Sequence, residues 1–358
     1  GIVNLTGYDR GEGLSRLEDW KRIAEKLKFE EGKSWTEVAR AIKPHFPELS
    51  DQQCWEKVRS ALRRSEAYKR KGKVTFEDAK DPTPEDVDDF YETLKKLNTA
   101  TLKLESKQTQ TTIHIDDDKP IGIAFWGDWH LGGKGIDYDQ FDRDEELIRA
   151  TDGLYVVGMG DYKENASALV HQAATQENLV ATDMQDKIVM RKFERSADKH
   201  LVTIRGCHDD WDKRNANKDF IQSLCDITGA VNLWHGGIIN LIVGNVEYRI
   251  GARHKYKFES SLNTTNSQRN FVNEYGPCDV VALAHKHFCE VEHTQRMGGN
   301  VIYLRSGSYK RYDEYGQKLA GYEGIHGVPV VIFYPDRRFA IPFKRLENGI
   351  AVLQSLRG

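Results

Sequence analysis

The stretch that decides the fold is Ile121-Gly122-Ile123-Ala124-Phe125-Trp126-Gly127-Asp128-Trp129-His130. A short apolar run stopped by glycine predicts a strand buried on both faces. Asp128 and His130 then leave its carboxyl end, where sites form in open α/β sheets. The same grammar returns four times. Leu154–Val157 leads into Gly158-Met159-Gly160-Asp161, and Leu201–Ile204 leads into Gly206-Cys207-His208-Asp209. Val246–Ile250 leads into Gly251-Ala252-Arg253-His254, and Val280–Ala284 leads into His285-Lys286-His287. One Asp or His at a strand end is an ordinary structural cap. Five in series, opening on Asp-x-His and closing on His-x-His, point to a single metal-binding pocket. Carboxylate supplies hard oxygen that can bridge two cations, and imidazole suits manganese, iron, zinc and nickel.

In this order the motifs resemble those of the calcineurin-like metallophosphoesterases: Asp-x-His, Gly-Asp, Gly-Asn-His-Asp/Glu, a single His, then Gly-His-x-His. The resemblance runs from about Ile121 to Phe343. It implies an α/β (α+β) two-sheet sandwich flanked by helices. It implies two divalent metal ions, with manganese expected first. Asp128, His130 and His287 would hold one metal, Asp161 would bridge, and His254 and His285 would hold the other. His208 matches the family's non-ligand histidine, which assists the leaving oxygen. We expect Asp209 to orient His208 and Asp210 to face solvent. Ser306-Gly307-Ser308 resembles the turn that follows the last motif. Two positions depart from the pattern. Ala284 replaces a glycine, with little chemical meaning. Cys207 stands where the family has the asparagine that ligates the second metal. Either its thiolate is a ligand, which would favour zinc or iron, or it is none and the second site is weak.

Outward from this domain the charge changes sign. Residues 1–73 carry 17 Lys/Arg against 12 Asp/Glu, and residues 74–120 carry 6 against 12. We therefore divide the chain into a helical domain (1–73), an acidic linker with a helix (74–118) and the phosphoesterase-like domain (119–358). Leu14, Leu17, Trp20, Ile23, Ala24 and Leu27 recur at helical spacing. Ser34 with Glu37, and Ser50 with Gln53, are capping boxes that open two more helices. Pro44 and Pro47 end the first of these. The last helix buries Cys54, Val58 and Leu62 and carries Lys57, Arg59, Arg63, Arg64, Lys69, Arg70, Lys71 and Lys73 on its outer face. Three short helices with a basic third resemble a helix-turn-helix domain, whose cations would neutralise DNA phosphates. In the linker, Asp81-Pro82-Thr83-Pro84 reads as a break, Asp86–Leu104 as a solvated helix with Phe90, Leu94 and Leu97 on one face, and Ser106–Thr112 as a polar connector.

Of the 358 residues, 39% are hydrophobic and 30% charged, which excludes a disordered or fibrous chain. No apolar run approaches the roughly 18 residues of a membrane span. Residues 1–13 lack the layout of a secretory leader. Five cysteines without a paired spacing suggest free thiols in a reducing, cytoplasmic setting. The net charge of −3 means that a nucleic-acid partner must be held by local patches.

Together these features predict a metal-dependent phosphodiesterase acting on DNA, a nuclease, that activates water between two cations while His208 assists the leaving group. Asp128-Trp129-His130-Leu131-Gly132 is similar to the Asp-x-His-Leu-Gly of the Mre11/SbcD nuclease branch. Lys255 and Lys257, beside Tyr256 and Phe258, and Lys310 and Arg311, beside Tyr309 and Tyr312, mix cations with rings as nucleic-acid grooves do. With Arg59, Arg63 and Arg64 they are the expected DNA contacts. Two alternatives stand beside this reading. One is a phosphomonoesterase or small-phosphodiester hydrolase whose N-terminal domain docks a protein. The other is a DNA-binding regulator with a degenerate phosphoesterase domain. No residue speaks for or against a homo-oligomer.

Overall fold

A computed structural model of the chain describes residues 20–69, 83–104, 107–166, 172–260, 262–296, 299–312 and 326–358. The chain divides into two compact units, Gly1–Leu97 and Asn98–Gly358.

In the first unit a helix from residue 20 loosens into a π-helical turn at Lys26–Glu30, followed by helices Trp35–Ile42 and Asp51–Lys69. Both capping boxes form. Ser34 N donates to Glu37 Oε2 at 2.8 Å while Glu37 N donates to Ser34 Oγ at 3.3 Å. Ser50 and Gln53 repeat the exchange at 2.9 and 3.2 Å. Trp20, Ala24, Val38, Ile42, Phe46, Cys54, Val58 and Leu62 make a core of their own. Ile23 turns outward, and Leu14 and Leu17 lie outside the described residues. The next helix is Pro84–Leu104, longer than expected. Thr83 and Asp86 cap each other's backbone, and proline is well placed at the first helical position, so Pro84 starts this helix rather than breaks it, while Asp81 and Pro82 lie outside the described residues. Phe90, Leu94 and Leu97 lie exposed on it.

The second unit is two mixed six-stranded sheets flanked by helices, the sandwich expected from the sequence. The strands are β1 (Gln110–Ile115), β2 (Ile121–Trp126), β3 (Leu154–Gly158), β4 (His200–Thr203), β5 (Val231–Asn232), β6 (Gly236–Val243), β7 (Val246–Arg253), β8 (Val280–Leu283), β9 (Glu290–Arg296), β10 (Gly299–Arg305), β11 (Val330–Phe333) and β12 (Ala340–Phe343). One sheet runs β1-β6-β7-β8-β10-β9, the other β12-β11-β2-β3-β4-β5. The connector read at Ser106–Thr112 is corrected at its end, since β1 pairs in parallel with β6.

Alternation along β2 explains the layers. Ile121, Ile123 and Phe125 face a core shared with Ile239, Leu241, Ile250, Val280 and Ala282 of the other sheet. Ala124 and Trp126 face the opposite way, toward Phe141 of helix Tyr138–Ala150 and Val189 and Phe193 of helix Thr182–Arg195. Ile238, Val281, Leu283, Val301 and Tyr303 pack outward on helix Asn266–Tyr275 through Phe271 and Val272. The strands β2, β3 and β4 are parallel, as are β7 and β8. Each parallel block therefore delivers its carboxyl ends, and the loops that follow them, to one edge of its sheet. Among the described residues, no helix is long and apolar enough to cross a membrane.

Candidate metal centre

The loops after these five strands bring the predicted side chains together. Asp128, His130 and His287 offer donor atoms within 4.8 Å of one another; so do Cys207, His254 and His285, and so do Asp128, Asp161 and His254. The first triad is tied by His130 Nε2 and His287 Nε2, 3.0 Å apart, with Asp128 Oδ1 3.7 Å from His287 Nε2. In the second, Cys207 Sγ is 3.7 Å from His285 Nδ1, and His254 Nε2 is 3.1 Å from Asp161 Oδ2.

The backbone is bent to achieve this. Among the described residues, Asp128, His130, Asp161, Asn165, His285 and His287 are six of nine non-glycines at positive φ, between 49° and 74°. Such conformations cost energy and persist where the surroundings dictate them, typically at functional sites. Glycine makes room for them. A Cβ on Gly206 would lie 2.1 Å from Asp161 Oδ1, and one on Gly160 would lie 2.5 Å from Gly206 N. The Ser306–Ser308 turn braces the first loop, where the Ser308 hydroxyl donates to the Asp128 carbonyl at 3.0 Å.

The donor set fits divalent cations. Asp128 Oδ1 is buried without a hydrogen-bond partner, a costly state for a carboxylate oxygen facing the cluster. Burial pushes the Asp128 carboxyl up to about 8. Burial pushes His130 down, His285 down to about 3 and His287 well down, so these imidazoles are neutral, as ligation requires. Burial opposes charge on His254 too, but the adjoining Asp161 carboxylate outweighs it and raises the ring well above its ordinary value.

His208 stands at the rim. Its backbone N–H donates to Asp161 Oδ1 at 2.7 Å, and its ring packs on Trp211 at 4.1 Å. Nδ1 contacts the Glu164 carbonyl. A carbonyl only accepts, so Nδ1 carries the hydrogen and Nε2 is left for chemistry.

Three expectations are corrected. Asp209 does not orient the His208 ring. Its buried carboxylate accepts from the backbone of Asp161 at 2.7 Å, Gly206 at 2.8 Å and Tyr162 at 3.2 Å, and so fixes the two ligand loops to each other. Asp210 is buried, 3.6 Å from Arg205 Nη1. Lys310 is no surface cation, because it lies buried 2.8 Å from Glu164 Oε1. The other expected contacts differ in setting. Arg59 is half-buried over the Trp55 ring at 4.6 Å. Arg63 is exposed, and nothing is described of the Arg64 side chain. Arg311 is exposed and paired with Asp137, and Lys257 pairs with Glu274 at 2.5 Å. Lys255 is exposed and, with Arg253, Trp211, Tyr256 and Cys207, lines a cleft of about 540 Å³ beside His254.

Glu164 was missed by sequence reasoning. Its Oε2 lies 3.1 Å from His130 Nδ1, behind the ligand nitrogen. Asn165 was missed as well; its Nδ2 donates to the His208 carbonyl at 2.7 Å. Both sit in the irregular loop after β3, where no periodicity marks them.

No protein-family description matches the chain, and no curated protein matches it. Solved structures do. Vacuolar protein sorting 29 from Cryptosporidium parvum is 13% identical over 64% of this chain and 100% of its own, with a TM-score of 0.33. A predicted phosphoesterase from Streptococcus pneumoniae is 11% identical over 63% and 98%, with a TM-score of 0.29. Vacuolar protein sorting 29 from Entamoeba histolytica, solved with zinc, is 12% identical over 62% and 97%, with a TM-score of 0.28. Likenesses this distant add nothing to the chemistry, which rests on the side chains described above.

Proposed function

We propose that this protein is a metal-dependent phosphodiesterase that cleaves DNA. The observation that supports this most directly is the pair of adjoining donor sets, Asp128–His130–His287 and Cys207–His254–His285, joined through Asp161 and edged by His208. When bound, a pair of divalent cations lowers the pKa of water and neutralises charge on phosphoryl oxygens. The chain's own groups supply the rest. His208, as the doubly protonated imidazolium, gives the Nε2 proton to the departing oxygen and returns to the neutral ring, while the Glu164 carbonyl keeps the Nδ1 hydrogen and Trp211 holds the ring in place. Asp209 keeps Asp161 and Gly206 in register. Lys255 and Arg253 draw the phosphate backbone into the cleft, and Trp211 offers a face to a base. The helical unit, read as a helix-turn-helix-like domain, presents Arg63 toward duplex phosphates.

The test is cleavage of plasmid and single-stranded DNA with added divalent metal, run beside a chromogenic phosphomonoester. We expect DNA cleavage, and His208→Ala should lower it by about 10²–10⁴-fold. Monoester turnover with intact DNA would instead establish the small-substrate hydrolase. If the loss of His208 left trace activity unchanged on every substrate, the degenerate regulator would stand.

A further inference from the structure

We propose that Cys207, His254 and His285, closed by Asp161, form a thiolate half-site that selects zinc over manganese, so that the centre carries two different metals. This rests on the reading of the cluster as a divalent-cation centre and names what each half takes. Zinc bond lengths of about 2.3 Å to sulfur and about 2.0–2.1 Å to nitrogen and oxygen set the edges of a tetrahedron. The sulfur–nitrogen edge comes to about 3.6 Å and the nitrogen–oxygen edge to about 3.3 Å. Cys207 Sγ and His285 Nδ1 are 3.7 Å apart, and His254 Nε2 and Asp161 Oδ2 are 3.1 Å apart.

The histidine is also committed. His254 Nδ1 lies 2.8 Å from the Met159 carbonyl, which can only accept, so its Nε2 is the atom aimed at the cluster. That Nε2 is buried against Asp161 Oδ2, 3.1 Å away, and the residue is 2% exposed. The other half offers only oxygen and nitrogen, from Asp128, His130 and His287. Soft thiolate favours zinc over manganese, while carboxylate and imidazole accept either. The asymmetry therefore lies in the ligands themselves.

Cobalt(II) reads this out without turnover, because thiolate-to-cobalt charge transfer absorbs in the near-ultraviolet. The full chain, stripped with a chelator, is titrated with cobalt while bound metal is counted by elemental analysis. We expect the band to grow over one equivalent and then stop as a second equivalent binds. Zinc should remove it and manganese should not. Cys207→Ser and Cys207→Asn, checked for native circular dichroism, should both lose the band. Losing a ligand should weaken zinc at that half by at least the roughly 10-fold seen for outer partners. The remaining cysteines, Cys54, Cys225, Cys278 and Cys289, are buried elsewhere and should contribute nothing. Two bound cobalt ions without the band, or a band that survives both substitutions, would overturn the half-site. A band without DNA cleavage would keep the half-site and remove the nuclease reading, and cleavage without a band would do the reverse. No cobalt uptake at all would end both.

Discussion

Glu164 shows how much one side chain behind a ligand can control. Its two oxygens divide the work, Oε2 at 3.1 Å from His130 Nδ1 and Oε1 at 2.8 Å from Lys310 Nζ. The first holds the His130 ring with Nε2 toward His287. The second neutralises a buried ammonium. Glu164→Gln should weaken manganese binding by about 10–100-fold, as partners behind metal-binding histidines do. Calorimetric titration checks this. Lys310→Met added to Glu164→Gln should recover thermal stability without recovering affinity. If the single change leaves affinity intact, Glu164 only packs. Nothing in the sequence could have sorted Glu164 or Lys310 from surface charges, because each is defined by a neighbour 146 positions away. The strand-end histidines were legible because each motif follows an apolar run. His200 offers a second test at this scale. Burial holds it neutral, down to about 3, between the rings of Phe193 and Trp126. The unfolded chain takes up its proton near pH 6.5, and the folded chain does so only near pH 3. Stability is therefore full above about pH 6.5 and falls by roughly 1.4 kcal/mol per unit as pH drops below it. His200→Phe should remove this one-proton slope from urea unfolding measured between pH 7 and 4.5. Ser196 Oγ keeps a partner in that variant, since it also donates to the Lys192 carbonyl at 2.9 Å.

At the scale of elements, the decisive contact is between the loops after β3 and β4. They pass backbone to backbone, and Gly206 is the point of closest approach, 2.2 Å from Asp161 N to an added Cβ. Gly206→Ala must push Asp161 aside. We expect loss of metal binding together with about 1–3 kcal/mol of stability, the usual cost of overpacking. A variant that bound two metals normally would show that the loop can yield. The glycine was visible in sequence, but not its reason. Elements were legible where a local rule sufficed. Apolar runs marked the buried strands, and Ser34 and Ser50 marked helix starts because a capping box is complete within four residues. Where the deciding partner is remote, legibility ended. β1 is an edge strand whose Gln110, Thr111 and Thr112 read as polar, and only its register against Ile238–Val243 makes it a strand. Thr83 was obscured by the prolines around it.

For the whole molecule, the question is whether two units with separate cores share one substrate. The first closes over Trp20, Val38, Ile42 and Val58 and the second over its two sheets, each core built from its own unit's residues. On the function proposed above, metal chemistry on a short diester would need only the second unit, and holding a long polyanion would gain from the first, because tethering raises the local concentration of substrate. Each phosphate neutralised by a cation steepens the dependence of affinity on salt by about 0.9 in log–log slope. Deleting residues 1–73 should therefore weaken DNA binding, flatten its salt dependence by several such steps and leave the hydrolysis of a small diester unchanged. Fluorescence anisotropy at graded salt, beside a chromogenic diester assay, measures both limbs. Arg63→Ala in the full chain should reproduce one step of the flattening. Equal loss on DNA and on the small diester would mean that the helical unit supports the fold of the second unit rather than the grip on DNA.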